Sequence, residues 1–286
     1  MSVSPRVRRC VHALTVLALT ACAAASISTV SAPPAIAAAP GSQTFVDNFD
    51  GPAGTAPNRA VWSPQVGGNW GNGKQLQYTT DRTANAALTG TGKLVITAKG
   101  ETYHGWDATR DYTSARLMTT TAFTYGTISA KIKMSGDQGA WPAFWTLGAN
   151  YQQVGWPTCG ELDVMESLNA LPNLYGSLHG PVQGGAKYQS YDAGKMISPN
   201  GGLAGGWHTY SAQWSRKAIS FSLDGRVYAR VTKADLPAGN TWAMDNPQQL
   251  ILNIAVGDWA GTPAAPADFR ATMTVDWVKV TGTTIS

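Results

Sequence analysis

The sequence predicts an all-β protein, and three observations support that prediction. Short segments rich in β-branched and aromatic residues recur between Gly, Asn, Asp and Pro residues, which is the pattern of strands separated by turns. After residue 40, no segment as long as about 12 residues keeps the apolar spacing of a helix. The same part of the chain contains neither a repeat nor a low-complexity tract. Many short strands with turn signals are typical of a sandwich, a barrel or a jelly roll.

The first 39 residues have the pattern of a secretory signal peptide. Arg6, Arg8 and Arg9 precede the apolar run VHALTVLALTACAAAS, which is followed by the small residues of SAPPAIAAAP. A basic start, an apolar middle and an A-x-A end are typical of such a leader, and we expect cleavage near residues 37–39. The apolar run is short and alanine-rich compared with the roughly 20 residues of a membrane span. The sequence therefore predicts a secreted, extracellular protein.

A second interpretation of the leader stays open. The letters LTAC, which end at Cys22, resemble the cleavage pattern of bacterial lipoproteins. In that case Cys22 would be lipidated, and the mature protein would be anchored to a membrane that it otherwise does not contact.

Charge and cysteine content narrow the function of the mature chain. The formal net charge is +4, and removing the three leader arginines leaves 4 − 3 = +1, because the leader has no acidic residue. We expect no nucleic-acid partner, since no basic stripe is present. Cys159 is the only cysteine after the leader, so no internal disulfide is expected. We expect residues 40–286 to form one monomeric domain with a large core, a size common for all-β domains.

Several segments illustrate the strand pattern in chain order. In TISAKIKM, the alternate residues Ile128, Ala130, Ile132 and Met134 share a face. In SFSLDGRVY, the dipeptide Asp224-Gly225 predicts a hairpin turn. The other predicted strands include KLVITAKG, HTYSAQWS, RVYARVT, QLILNIAV and MTVDWVKV.

An acidic segment, GELDVMES, interrupts this apolar pattern. The chain is 13% charged, about half the usual 25%, yet Glu161, Asp163 and Glu166 lie within six residues. In a regular strand Glu161 and Asp163 would share one face and Glu166 would lie on the other. A β-bulge at Val164-Met165 would rotate Glu166 back to the face of the other two. We therefore predict a bulge that brings the three carboxylates together.

Three close carboxylates suit the cleavage of glycosidic bonds. Retaining glycoside hydrolysis needs two carboxyl groups about 5–5.5 Å apart, one as nucleophile and one as acid and then base. Repulsion among such groups raises one pKa, so that this group can donate a proton at neutral pH. Asp163 would hydrogen-bond the nucleophile. A solvated acidic edge or a calcium loop is the alternative, which the apolar Leu162 and the lack of interleaved Gly and Asn disfavour.

The segment GAWPAFWTLG precedes the acidic residues and carries two tryptophans. Trp141 and Trp145 share a face if this segment is extended. Aromatic rings bind the flat C–H faces of sugars, so we interpret both as cleft residues. The other tryptophans within strand patterns, such as Trp214 and Trp277, are expected to fill the core.

Together these motifs resemble glycoside hydrolase family 16, in its laminarinase-like branch. The central match is GAWPAFWTLG followed by WPTCGELDVMES, and further matching segments occur along nearly the whole mature chain: FVDNFDG, LQYTT, GKLVITA, YTSARLMT, YGTISAKIKM, GSLHGP, WHTYSAQWS, LILNIAVG and VDWVKV. The resemblance implies a β-jelly-roll sandwich of two antiparallel sheets with a concave substrate cleft.

The same resemblance implies roles for the acidic residues. Glu161 would be the nucleophile, Glu166 the general acid/base, and Asp163 the assisting carboxylate. The E-x-D-x-x-E spacing is the bulged form typical of laminarinases, which implies internal cleavage of β-1,3-glucan with retention.

Further site residues follow from the resemblance. Arg116 would contact the sugar near the cleavage point, and Trp141 and Trp145 would line the cleft. His179 matches a cleft histidine, although a core histidine is the alternative. The last two candidates are Asn253 and Trp259; they would line the cleft, unless Asn253 instead braces the sheet.

The chemistry requires no cofactor, but the resemblance implies a structural calcium. Asp276 matches one of its ligands, and Asn48 stands where an acidic residue is usual, so the site would have fewer charged ligands.

Other functions stay open beside a secreted endo-β-1,3-glucanase. A retaining hydrolase or transglycosylase could act on mixed-linkage β-1,3-1,4-glucan or on another β-linked polysaccharide. A glucan-binding module without activity would need no carboxylate pair.

Overall fold

A computed structural model describes residues 42–169, 173–185, 190–197, 199 and 202–286. The predicted signal peptide of residues 1–39 and the alternative lipidation site Cys22 lie outside the described residues. Within the described part of the chain, no helix has the length and apolar character needed to cross a membrane.

Strands make up most of the regular structure, as the sequence predicts. The strands are β1 Gln43–Asp47, β2 Trp62–Pro64, β3 Gln77–Thr79, β4 Ala86–Leu88, β5 Leu94–His104, β6 Thr109–Ser114, β7 Arg116–Thr119, β8 Phe123–Thr124, β9 Gly126–Met134, β10 Ala140–Gly148, β11 Glu161–Glu166, β12 Leu174–Pro181, β13 Ser190–Ile197, β14 His208–Trp214, β15 Ala218–Leu223, β16 Arg226–Thr232, β17 Gln248–Val256 and β18 Arg270–Ile285. One short α-helix, α1, spans Tyr151–Val154, and 3₁₀ turns span Trp70–Gly73, Lys233–Asp235, Asp258–Ala260 and Pro266–Asp268.

The strands form two layers. The cleft sheet has the order β2–β7–β17–β10–β11–β12–β13. In the outer sheet, β18 pairs with β1 and β5 on one side and with β9 on the other, and β9 continues to β14, β15 and β16. These pairs are antiparallel, whereas β3 and β6 pair in parallel at the far side of β5. The two-sheet antiparallel sandwich predicted from the sequence is confirmed.

The main core lies between the two sheets. Ile128, Ala130 and Ile132 of β9 are fully buried there, in agreement with the predicted alternation. From the cleft sheet, Leu250 and Leu252 of β17 pack into the same core. Since successive side chains of a strand point to opposite faces, the residues between them face the cleft.

The predicted hairpin turn is also confirmed. Asp224 and Gly225 join β15 to β16 with φ angles of 50° and 77°. Positive φ at both central residues is the type I′ pattern, whose twist matches that of the flanking strands.

Candidate active site

Strand β11 contains the predicted bulge. Against β10, Met165 lies opposite Phe144 and Asp163 lies opposite Trp145, so Val164 is the extra residue. The pairing with β12 shifts between Asp163 and Glu166 as well. Val164 and Met165 are both buried in the main core, although they are neighbours in a strand. Two consecutive core-facing residues are the signature of the bulge, and they return Glu166 to the cleft face.

The register of the cleft sheet places the predicted residues in adjacent rows, because directly paired residues of neighbouring strands share a face. Across β7, β17, β10, β11 and β12, the first row consists of Arg116, Asn253, Ala143, Glu166 and Tyr175. Across the same strands, the second row consists of Met118, Ile251, Trp145, Asp163 and Ser177. The third row covers only β10, β11 and β12 and consists of Leu147, Glu161 and His179. The three acidic residues therefore occupy successive rows of one face.

Asp163 is the most deeply buried of the three carboxylates, with 2% of its surface exposed. Its Oδ2 accepts hydrogen bonds from Ser177 Oγ at 2.9 Å and from His179 Nε2 at 3.1 Å. Burial lowers the pKa of His179, but the hydrogen bond to Asp163 and the charges of Asp163, Glu161 and Asp192 outweigh it and raise that pKa to about 10. His179 is thus a cationic partner of Asp163 on the cleft face, not a core histidine.

Each glutamate accepts a hydrogen bond from an indole. Trp156 Nε1 donates to Glu161 Oε2 at 2.8 Å, and Trp141 Nε1 donates to Glu166 Oε1 at 2.9 Å. These bonds fix one oxygen of each carboxylate and leave the other for a substrate. A bond of this kind also favours the ionised form of its acceptor.

The two glutamates have raised pKa values for related reasons. Burial and the charge of Asp163 raise the pKa of Glu161 to about 8, against the opposing effects of His179, Trp156 and Arg116. Burial and the charges of Asp163 and Glu161 raise the pKa of Glu166 well above its usual range. Glu161 has the nearby Arg116 cation to stabilise its ionised form, so we assign the first ionisation of the pair to Glu161. Glu166 is then the member of the pair that still holds its proton when Glu161 has ionised.

Arg116 lies between two indole rings. Its guanidinium carbon is 4.5 Å from the ring centre of Trp70 and 4.6 Å from that of Trp145. Burial lowers the pKa of Arg116 to about 10, although the charge of Glu161 opposes that shift. The side chain therefore stays cationic at neutral pH, and the two rings hold it at the predicted position beside the acidic residues.

Asn253 and Trp259 have different surroundings. Asn253 Oδ1 accepts a hydrogen bond of 2.6 Å from Trp145 Nε1, so Asn253 lies on the cleft face and fixes that ring. Trp259 is 47% exposed, and its ring lies 5.4 Å from Trp141 and 4.6 Å from Tyr175. These three rings form an aromatic surface at the Glu166 end of the acidic row.

The structure adds three aromatic residues to the predicted site: Trp70, Tyr175 and Trp156. Trp156 had a local signal, because it lies just before Glu161 in the same motif. Tyr175 could have been found by extending the alternation of β12 from His179. No pattern in the sequence indicates that Trp70, which follows β2, stacks on Arg116 from a different part of the chain.

The carboxylate of Asp276, which the resemblance predicts as a calcium ligand together with Asn48, is already paired with two lysines. The carboxylate of Asp276 lies 2.9 Å from Lys131 Nζ and 3.7 Å from Lys93 Nζ. Two ammonium groups already neutralise it, which disfavours a cation at the same oxygens. Among the described residues, the one group of three or more His, Cys, Asp and Glu with ligand atoms close enough for a metal is Glu161, Asp163 and His179.

Cys159 behaves as a buried apolar residue. It is fully buried and packs with Leu147 and Ile251 under the cleft face. Burial raises the pKa of its thiol to about 11, so it stays protonated at neutral pH.

Comparison with known proteins agrees with this geometry. Residues 68–279 match the family described as Glycosyl hydrolases family 16. The chain is 34% identical over 238 residues to a beta-glucanase from Rhodothermus marinus, a match that covers 78% of this chain and 80% of the relative. It is 32% identical over 253 residues to the endo-1,3-1,4-beta-glycanase EglC from Rhizobium meliloti, covering 83% of this chain and 51% of the relative.

A solved structure has a similar fold, and nearly the whole length of that structure aligns with this chain. The catalytic domain of an endo-1,3-beta-glucanase (laminarinase) from Thermotoga petrophila superposes with a TM-score of 0.73 and 34% identity, covering 84% of this chain and 97% of that one. This likeness confirms the jelly-roll expectation. Family match, fold and acidic cluster agree, so the chain belongs to glycosyl hydrolase family 16 and is a glycoside hydrolase.

Proposed function

We propose that this protein is a retaining endo-β-1,3-glucanase that cleaves internal bonds of laminarin-type glucans by double displacement. The observation that carries the proposal is the bulge in β11, which aligns Glu161, Asp163 and Glu166 on the cleft face. Each glutamate is fixed by an indole. Only Glu161 has the nearby Arg116 cation to favour its ionised form, so we assign the first ionisation to Glu161.

In the first step, the Glu161 carboxylate attacks the anomeric carbon of the sugar. The bond from that carbon to the glycosidic oxygen breaks, and Glu166 gives its proton to the departing oxygen. The product is a glycosyl ester on Glu161 and a new chain end. In the second step, Glu166 takes a proton from a water molecule, whose oxygen attacks the anomeric carbon and releases Glu161.

The surroundings support these charge changes. Glu161 loses its negative charge when the ester forms, while Glu166 gains one when it gives up its proton. The His179 cation and the Trp141 indole both favour the ionised form of Glu166. The Asp163 carboxylate and the His179 cation hold each other in place by a hydrogen bond. Little reorganisation of these groups is therefore needed as negative charge leaves Glu161 and appears on Glu166.

The proposed β-1,3 preference rests on two observations. The bulged E-x-D-x-x-E spacing is the form that resembles laminarinases, and the Thermotoga petrophila relative is named as a laminarinase. The name of the Rhizobium meliloti relative includes both linkages, so mixed-linkage glucan is the second candidate substrate. A non-catalytic binding role is disfavoured because the complete acidic cluster is present.

The first experiment tests the residues. Glu166→Gln should reduce kcat/KM on laminarin by roughly 100- to 10,000-fold, the usual contribution of a general acid/base. Glu161→Gln should abolish turnover. Asp81→Asn is the matched control, since Asp81 is an exposed carboxylate whose ion-pair partner is Arg59 and not a residue of the site. Near-normal turnover by a folded Glu166→Gln variant would refute the mechanism.

The second experiment tests substrate and stereochemistry. Purified protein is incubated with laminarin, lichenan, agarose and xyloglucan, and the products are sized by chromatography. We expect internal cleavage of laminarin with β-anomeric first products by NMR, whereas α-anomers would exclude retention. Products longer than the starting oligosaccharides would instead indicate a transglycosylase.

We propose that the protein is exported, as its N-terminal pattern indicates. Mass spectrometry of the mature chain should find an N-terminus near residues 38–40. A chain that begins at a lipid-modified Cys22 would favour the anchored alternative.

A further inference from the structure

One tryptophan outside the cleft floor is presented to solvent in an unusual way. Trp106 is 81% exposed, whereas the other exposed large apolar residues of the described chain are 37% to 47% exposed. It lies in the loop of residues 105–108 between β5 and β6. A single exposed apolar residue needs no explanation by itself. The geometry that holds this one, however, indicates a binding role.

The loop that carries Trp106 is tightly fixed. Trp106 N donates to Tyr78 Oη at 3.3 Å, and the Tyr78 ring is completely buried. Gly105 lies so close to that ring that a Cβ at this position would be 1.9 Å from it. Across the loop, Gly105 N donates to Ala108 O at 3.0 Å. The backbone under Trp106 is therefore held in place before any ligand arrives, which lowers the entropic cost of binding.

Hydrogen bonds join this loop to the loop between β2 and β3. The Asp107 carboxylate accepts from Gly68 N at 3.1 Å and from Asn69 Nδ2 at 3.3 Å. In return, Arg110 Nε donates to Gly68 O at 2.8 Å. The two loops thus form one wall.

That wall continues directly to the active site. The Trp70 indole donates to Gly67 O at 3.0 Å, and a Cβ on Gly67 would lie 3.3 Å from the Asp107 carboxylate and 3.7 Å from the Trp70 ring. Trp70 in turn stacks on Arg116, which neighbours Glu161. The loop of Trp106 therefore belongs to the same hydrogen-bonded wall as Trp70, whose ring contacts Arg116.

We propose that Trp106 is a distal binding site for the glucan chain, beyond the sugars held around the acidic residues. An exposed indole offers the flat apolar surface on which a glucose ring can lie. A long chain that leaves the cleft on the Arg116 side meets this ring, whereas a short oligosaccharide held at the acidic residues does not reach it. This inference rests on the proposed β-glucanase function and assigns Trp106 a role in chain-length preference.

The test compares chain lengths. Trp106→Ala should raise KM for laminarin by about fivefold, the order expected for loss of one stacking contact, and leave kcat unchanged. KM for laminaritetraose should not change. Trp106→Phe keeps a ring and should recover part of the loss. Trp207→Ala is the control: Trp207 is 37% exposed and lies beside Lys131 of the outer sheet, so its loss should affect neither substrate.

The outcomes separate this inference from the proposed function. Equal KM values of the wild type and Trp106→Ala on laminarin would overturn the role of Trp106, as would a parallel rise on both substrates. A concentration-dependent dimer that dissociates in Trp106→Ala would show that a second copy covers the ring instead. If the wild type cleaves neither laminarin nor laminaritetraose, the proposed function itself fails.

Discussion

At the scale of single residues, the site depends on indole donors that differ between the two glutamates. Trp156 serves Glu161 and Trp141 serves Glu166, each at hydrogen-bond distance. Both bonds lower the pKa of their acceptor, against the larger raising effect of burial. Trp156 therefore affects the acidic limit of the enzyme's pH range through Glu161, and Trp141 affects the basic limit through Glu166.

The first prediction concerns these two donors. Trp156→Phe should raise the pKa of Glu161, because the ionised carboxylate loses a donor, and shift the acidic limb of kcat/KM to higher pH. Trp141→Phe should shift the basic limb to higher pH in the same way through Glu166. Each shift should be about half to one pH unit, from the net worth of one hydrogen bond. Movement of the same limb in both variants would contradict the separate assignments.

The second prediction concerns the Asp163–His179 pair. His179→Gln leaves a nearly fully buried carboxylate without its cationic partner. We expect the free energy of unfolding, measured by urea denaturation, to fall by about 2–4 kcal/mol. Breaking a buried ion pair usually costs about this much or slightly more.

A second histidine pair provides the control. His208 Nδ1 lies 2.8 Å from the half-exposed carboxylate of Asp224. Solvent screens that pair, so His208→Gln should cost less than about 1 kcal/mol. A larger loss for His208→Gln than for His179→Gln would contradict the importance given to the pair in the cleft.

At the scale of elements, the bulge in β11 is the feature that both sequence and structure emphasise. Alternation alone places Glu166 on the wrong face, and the mismatch is visible in the sequence. Retaining hydrolysis needs two carboxyl groups close together, and one extra residue in the strand would bring Glu166 to the face of Glu161. The position of Val164-Met165 follows, because apolar side chains next to each other in a strand can share the core only at a bulge.

The third prediction tests this element by mutation. Since Val164 and Met165 both face the core, Val164→Ala and Met165→Ala should each lower the free energy of unfolding by about 1.5–4 kcal/mol. The exposed Val46 provides the control, and Val46→Ala should change stability by less than about 0.5 kcal/mol. In a regular strand one of the two side chains would point away from the core. A negligible effect of either core substitution would therefore contradict the bulge.

Loops were harder to predict than strands. The alternation of β9 predicts which of its residues face the core. Strand β17 is a nearly continuous apolar run, so only the resemblance suggests that Asn253 lines the cleft. The stacking of Trp70 on Arg116 depends on how the loop after β2 crosses the sheet edge, and no local pattern encodes that path. The same is true of Asp276, whose carboxylate is paired with Lys93, just before β5, and with Lys131 of β9.

At the scale of the whole molecule, a cluster of buried acids links stability to pH. The relevant groups lie on the cleft sheet, and each has a folded pKa above its unfolded value. Glu161 rises from 4.5 to about 8, and His179 rises from 6.5 to about 10. Glu166 shifts in the same direction. A raised pKa contributes stability that is fully present below the unfolded pKa and is lost as pH rises through the folded one.

The fourth prediction follows from these raised pKa values. The Tm should be highest near pH 5 and should fall as pH rises from about 5 to about 10. Glu161 contributes the first part of this fall, up to about pH 8, and His179 contributes the later part, up to about pH 10. Below pH 4.5 the trend reverses in part, because Glu101 loses its stabilising charge in acid. Burial raises the pKa of Glu101, but hydrogen bonds from Thr113, Arg82 and Lys99 outweigh that effect and lower it. Glu161→Gln cannot ionise, so its Tm should fall less between pH 5 and pH 8. Asp81→Asn should retain the wild-type slope, and an equally steep fall in Glu161→Gln would show that the pH dependence arises outside the active site.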